Sequence, residues 1–275
     1  MRSISQQVNL IKKHKKIGLM THVVAGYPNL EQTEQLVLEM EKAGVDLVEI
    51  QIPFSDPIAD GPTIMKANDI ALQNKVTVKD TMKLMQRLSS KVQIPLLFMG
   101  YYNSIFHYGV HEFCQDAQQA GAQGLIVPDL PFDEEQHEHF IEYCQQYDLA
   151  PIRVLSPTST ETRITENIKF AQGFIYCTSV SGTTGARNNV AIQTQTFLKK
   201  IRKQTKIPLA VGFGISRPEH IQALIGFADM AVVGSAVINR IEQKGIQEIG
   251  KYFESLVAAG DSTGYLAKFS GERFM

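Results

Sequence analysis

Leu47–Thr63 reads LVEIQIPFSDPIADGPT. The apolar run LVEIQI carries one acid, Glu49, and breaks at Pro53. Behind it comes a loop built from Ser55, Asp56, Pro57, Asp60, Gly61 and Pro62. Side chains alternate along a strand, so Leu47, Glu49 and Gln51 share one face while Val48, Ile50 and Ile52 share the other. A carboxylate near the end of a buried strand, followed by an acid in the next loop, suits paired general acid/base chemistry. If Glu49 faces a poorly solvated mouth, its pKa should rise. The plainer reading is a structural acid bonded to a neighbouring strand. Asp60, between Ala59 and Gly61, reads equally as a reacting acid or as a turn residue satisfying its own backbone. Asp56 reads as a turn or N-cap acid.

Outward from this stretch, short apolar runs alternate with longer amphipathic ones. Strands are expected at Gly18–Val24, Leu47–Ile52, Pro95–Met99, Gly124–Val127, Ala150–Leu155, Phe174–Cys177, Leu209–Gly212 and Met230–Val233. Helical spacing follows each of them. Asn29 caps a helix that Gly44 ends. Further helices are expected over Thr63–Leu72, Val78–Ser90, Val110–Ala120, Asp133–Tyr147, Glu161–Phe170 and Pro218–Ile225, with one more ending near Gln204 and others running to about Ala259. The tyrosine-rich segment after the third strand reads as a loop. Eight strand–helix pairs predict a closed (β/α)8 TIM barrel. Ile4, Val8 and Ile11, at helical spacing, add an N-terminal helix. An open doubly wound sheet is the competing architecture, but no Gly-x-Gly-x-x-Gly follows the first strand. No linker or low-complexity segment interrupts residues 1–275, which are read as one barrel domain.

Composition narrows the function. The 275 residues carry 27 basic and 28 acidic side chains, a net charge of -1, which argues for neither nucleic acid nor an anionic membrane as partner. The lysines at 12, 13, 15 and 16 read as a solvated helix end. Cys114, Cys144 and Cys177 are far apart and form no Cys-x-x-Cys pair, which fits a reducing cytosol and argues against a disulfide scaffold or structural zinc. No signal peptide and no bilayer-length apolar run are seen, so a cytoplasmic protein is expected.

In such a barrel the site is expected at the C-terminal ends of the strands, with phosphate held by the loops after strands seven and eight. Gly212, Gly214, Gly234 and Ser235 lie there. Glycine admits a ligand close to the backbone, and a helix start offers unpaired amides to an anion. Gly182, Thr183, Thr184 and Gly185 of the sixth loop can complete such a cradle. Turn geometry is the plainer reading of any one of these glycines.

With these segments in hand, the chain resembles the alpha subunit of tryptophan synthase over nearly its whole length. EIQIPFSDPIADGPT is the most specific segment. AGYP (Ala25–Pro28), MGYYN (Met99–Asn103), VPDLPFDE (Val127–Glu134), SVSGTTGAR (Ser179–Arg187), VGFGIS (Val211–Ser216) and VVGSAV (Val232–Val237) follow the family in order. The absence of tryptophan agrees with an enzyme needed when tryptophan is scarce. The resemblance implies a lyase of tryptophan biosynthesis that cleaves indole-3-glycerol phosphate to indole and glyceraldehyde 3-phosphate, with neither cofactor nor metal in this chain. It implies that Glu49 is the acid/base at the indole carbon and the glycerol hydroxyl, and that Asp60 accepts or stabilises the indole N–H proton. Tyr176, Thr184, Gly185, Phe213, Gly214, Gly234 and Ser235 would bind substrate. It also implies a beta subunit that uses pyridoxal phosphate, in an alpha2beta2 heterotetramer. The segments with Pro53, Phe54 and Pro57, with Tyr101, Tyr102, Ile105, Phe106 and Tyr108, and with Pro131 and Phe132 are candidate interface elements or are packed under their own loops.

The chain departs from the family at two pocket positions. Gln51 stands where the family usually has glycine, and His22 where it often has an aromatic residue. Gln51 is expected to bond Glu49 or to turn away from the pocket. His22 reads as a satisfied core histidine or a support for the site in preference to a catalytic residue. Two other functions remain open at this stage: a related phosphosugar-binding barrel such as an isomerase, or a barrel subunit that only activates its partner.

Overall fold

The computed structural model describes residues 1–178, 187–212 and 214–261, with the backbone alone for Phe132 and for residues 187–192. Parallel strands close a barrel in sequence order: β1 (Gly18–Val24), β2 (Leu47–Gln51), β3 (Leu96–Met99), β4 (Gly124–Ile126), β5 (Ala150–Leu155), β6 (Ile175–Thr178), β7 (Leu209–Gly212) and β8 (Met230–Val233). β1 completes the ring by pairing β8. Every residue of β1 and β2 is buried, because helices cover the outer face and side chains fill the inner one.

The inner face carries the expected period of two. Met20, Leu47, Leu97, Ile126, Ile152, Phe174, Ala210 and Met230 pack together inside the ring. Ile4, Val8 and Ile11 of the helix Ile4–His14 join this interior cluster, so the N-terminal helix closes one end of the barrel. Its start is a capping box, with the Ser3 side chain accepting from Gln6 N and the Gln6 side chain accepting from Ser3 N. Its end is tied to the barrel by charge. Lys15 Nζ lies 2.7 Å from Asp46 Oδ2, and both side chains are buried. Asp46 also accepts from Gln7 Nε2 and Leu19 N. With that end closed, the open mouth is at the C-terminal ends of the strands.

Two local expectations fail. The segment read as a loop after β3 is a short helix, Tyr102–Tyr108. Tyr101 gives it no side-chain cap; the Asp129 carboxylate, from beyond β4, accepts from Tyr102 N at 2.9 and 3.1 Å. A cap supplied from 27 residues away leaves no local signal. The helix expected over Asp133–Tyr147 is broken into a 3-10 turn (Phe132–Glu134) and helices Glu135–Glu138 and Phe140–Gln146. His139 takes a left-handed conformation at the break, and Glu135 Oε1 caps the second helix by accepting from Ile141 N at 2.6 Å. Neither Gly nor Pro marks that break.

Candidate active site

Glu49 lies one residue pair below the end of β2, pointing inward with 3 % of its surface exposed. Its register partner on β1 is His22, whose Nδ1 stands 3.0 Å from Glu49 Oε1. Tyr176, from β6 across the barrel, brings its hydroxyl to 3.5 Å from the same oxygen. Glu49 Oε2 is buried and has no hydrogen-bond partner among the described residues.

Asp60 reaches the mouth from the loop after β2. Its amide donates to Pro57 O at 2.9 Å, so it does take part in a turn, yet its carboxylate is engaged elsewhere. Asp60 Oδ2 accepts from Gln51 Nε2 at 2.7 Å and from Tyr101 Oη at 3.0 Å. Gln51 therefore bonds the loop acid and not Glu49, so of its two expected placements the one turned away from the pocket is observed. Both lie on the inward face of β2, but Gln51 stands one step nearer the loop, within reach of Asp60. Asp56 is exposed and bonds its neighbour Ser55 at 2.5 Å, as a turn acid does.

Tyr101 is a residue that the sequence did not single out for this site. It is buried, stacks on Phe54 with ring centres 5.2 Å apart, and accepts from Ala59 N at 3.0 Å while donating to Asp60. It therefore holds the loop from three sides. Its one sequence signal is its position just after β3, where barrel side chains reach the mouth.

A cavity of about 850 Å³ opens at the C-terminal ends of the strands. His22, Glu49, Asp60 and Tyr176 form part of its wall, and Gly214, Gly234 and Ser235 part of its rim. Arg163 and the Ser156–Ser159 loop after β5 also line it and went unnoticed in the sequence. Gln51 is fully buried behind Asp60 and does not line the cavity. Thr184, Gly185 and Phe213, like Gly182 and Thr183, lie outside the described residues. Gly212 leaves room for Tyr176: a Cβ there would meet the tyrosine hydroxyl at 3.0 Å.

Electrostatics follow from burial beside two acids. Burial pushes the Tyr176 hydroxyl well above its usual pKa, and the charges of Glu49 and Asp60 push it further. Tyr101 is raised by burial and then by Asp60. Both phenols thus keep their protons and act as donors. For His22, burial works to lower the pKa, but the hydrogen bond and charge of Glu49, with Asp60 behind, outweigh it and the net shift is upward. Among the described residues, no group of three or more His, Cys, Asp or Glu side chains is placed to hold a metal ion.

A family model described as "Tryptophan synthase alpha chain" matches residues 8–262. The chain belongs to the tryptophan synthase alpha chain family. A tryptophan synthase alpha chain of Desulfotalea psychrophila is 46 % identical over 245 residues, which cover 89 % of this chain and 96 % of the relative. A solved tryptophan synthase alpha subunit of Legionella pneumophila superposes with a TM-score of 0.85 at 31 % identity, covering 94 % of this chain and 98 % of that one. A solved chain of Aquifex aeolicus reaches a TM-score of 0.87 at 33 % identity, over 95 % of this chain and all of that one. The barrel of this alpha chain is thus the family's fold, and its acids stand at the mouth of that barrel.

Proposed function

We propose that Glu49 and Asp60 carry out in this chain the reaction of its family, the cleavage of indole-3-glycerol phosphate to indole and glyceraldehyde 3-phosphate. The observation that carries the reading is the placement of two carboxylates from one strand–loop unit in the wall of one cavity. The reaction is a retro-aldol. A proton must reach the indole carbon that bears the glycerol chain, so that the ring can leave. A proton must leave the adjacent hydroxyl, so that the aldehyde can form. The electrons of the broken carbon–carbon bond return to the ring, and no water enters the balance. Glu49, with one oxygen unbonded, serves both transfers. Asp60 takes or stabilises the indole N–H proton while the ring carries positive charge. Gly214, Gly234 and Ser235 receive the phosphate, with the helix start at Ser235 offering unpaired amides.

The family implies a lyase without a cofactor in this subunit, and a beta subunit as partner. We place pyridoxal phosphate in that partner and an alpha2beta2 assembly around it, since indole is small and apolar and would otherwise diffuse away. We assign the reaction to the cytoplasm: Cys114, Cys144 and Cys177 are all buried as free thiols, and no described helix is long and apolar enough to cross a membrane.

The test is steady-state indole formation by the isolated chain. Glu49→Gln keeps size and removes the titrating group, and Asp60→Asn does the same in the loop. Each should lose about 10²–10⁴ in turnover with the fold intact by circular dichroism. Wild-type turnover in Glu49→Gln would overturn the assignment.

A further inference from the structure

His22 and Gln51 stand beside the two acids without a part in the reaction as written. His22 is 4 % exposed and faces Glu49 in the β1–β2 register. Gln51 gives its amide to Asp60. Each spends one polar atom on an acid and buries another, His22 Nε2 or Gln51 Oε1, without a well-formed hydrogen bond, and the Gln51 side chain acts weakly on the His22 ring. Unpaired buried polar atoms are costly, and an apolar side chain would fill either place with less penalty.

We propose that His22 is a positioning residue for Glu49, holding its carboxylate in one orientation at the cavity wall, and that Gln51 does the same for Asp60. The inference rests on the reading of Glu49 and Asp60 as the acid/base pair. The contact decides which carboxylate oxygen reacts. Oε1 is taken by His22 and approached by Tyr176, while Oε2 is left to exchange a proton with substrate.

The contact also sets charge. The groups that act on the ring are Glu49 on β2, Asp60 in the loop after it, and the Gln51 amide as the weakest. Tyr176, from β6, meets Glu49 on the same oxygen. From the β8 side comes Gly234, next to His22 Cβ and Ile64, with no charge. Burial works against the proton on the ring, yet Glu49 and Asp60 outweigh it. A ring that holds its proton favours the ionised carboxylate opposite. The ring nitrogen and the carboxylate oxygen are in contact, so the proton on the ring bears on the acid it faces.

The experiment is a pH–rate profile of indole formation for wild type, His22→Phe and His22→Gln, joined to a ¹⁵N NMR titration of the His22 ring. In His22→Phe the acidic limb of kcat should move up, the effect of losing an opposite charge at contact distance. Turnover at pH 7 should fall roughly tenfold while KM changes less than about threefold, since the substrate is still held but the acid is no longer aimed. His22→Gln restores a donor without a charge, so it should recover the plateau and leave the limb displaced. A histidine that merely walls the pocket would raise KM and leave the limb in place, which would overturn the proposal. The titration needs no variant at position 22. The wild-type ring should titrate above the ordinary value near 6.5, and below it in Glu49→Gln, where burial dominates. A wild-type midpoint below 6.5 would overturn the pairing regardless of turnover. Retained turnover in Glu49→Gln would instead sink the acid/base reading, and the inference with it. The titration tells the two failures apart, because it reads the His22–Glu49 contact without catalysis.

Discussion

Gln51 Nε2 donates to Asp60 Oδ2 across 2.7 Å, joining the strand that carries Glu49 to the loop that follows it. The Tyr101 hydroxyl donates to the same oxygen at 3.0 Å. Two donors from two strand ends therefore fix one loop carboxylate. Gln51→Gly should free Asp60 on one side, and Tyr101→Phe on the other. Each should lower kcat about tenfold, the double variant more, because a loosened group loses part of its orientation advantage. Hydrogen–deuterium exchange over Pro53–Pro62 should rise in both. Unchanged turnover in the double variant would mean that Asp60 needs neither donor.

The proposed phosphate site is tested at Gly214. Its φ is +58°, in the left-handed region, and a Cβ there would meet nothing within 4 Å. The backbone is thus open to a ligand, and only the conformation resists a side chain. Gly214→Val puts a branched residue at positive φ, at a cost of roughly 1–2 kcal/mol, and projects it into the space proposed for the phosphate. Calorimetric titration should show weakened binding of both indole-3-glycerol phosphate and glyceraldehyde 3-phosphate. Equal loss for both ligands is the signature of the group they share. Unchanged affinity for either would move the phosphate elsewhere.

Stability is tested at the opposite end of the barrel. Asp46 is buried, pairs with Lys15 at 2.7 Å and accepts the Leu19 amide at 2.8 Å. Asp46→Ala leaves the Lys15 charge with only the Gly44 carbonyl and strips the Leu19 amide of its acceptor, and should cost about 3–5 kcal/mol. Lys15→Met in the same chain should recover part of this by removing the stranded charge. Turnover per folded molecule should not change, since the pair lies beneath the barrel and not at its mouth. Urea unfolding followed by circular dichroism reads the first effect, and the indole assay at low temperature reads the second.

The barrel was legible in the sequence because its signals are local and repeat. Apolar runs such as Leu209–Gly212 and Met230–Val233 coincide with β7 and β8, and Ile4, Val8 and Ile11 already sketch the buried face of the first helix. Glu49 and Asp60 were legible as a strand acid and a loop acid in one short stretch. What escaped depends on contacts between distant segments. Tyr101 read as an interface aromatic or as packed under its own loop, and nothing near it in sequence says that Asp60 and Ala59 will lie against its hydroxyl. The Asp129 cap and the Glu135 cap are long-range or unusual in spacing. Gln51 shares a strand face with Glu49, which left it either bonding that acid or turning from the pocket, and one step along the strand brings it to Asp60.

The same geometry predicts how a partner would act on the site. Of the aromatic cluster after β3, Tyr101 and Ile105 are buried, Tyr102 bonds Glu138, and Tyr108 bonds Asp116. Phe106 stays 57 % exposed. It belongs to the helix Tyr102–Tyr108, and the residue just before that helix is Tyr101, which grips Asp60 and the Ala59 amide. A beta subunit seated on this helix would press on the tyrosine that holds the loop acid. Coupling then needs no long path: the helix is the contact, Tyr101 the link and Asp60 the responder. Phe106→Asp should therefore weaken activation by the beta subunit severalfold, with turnover of the isolated chain within about twofold, as a charged residue at an apolar contact costs binding without touching the cavity. Asn103→Ala and Pro53→Ala should shift activation in the same direction by less. Tyr101→Phe should separate the two effects, leaving the partner's affinity intact while its binding no longer raises turnover. Titrating the beta subunit into each variant while following indole formation gives both quantities. Activation curves superimposable on wild type for Phe106→Asp would remove this helix from the interface, and normal activation of Tyr101→Phe would remove Tyr101 from the link.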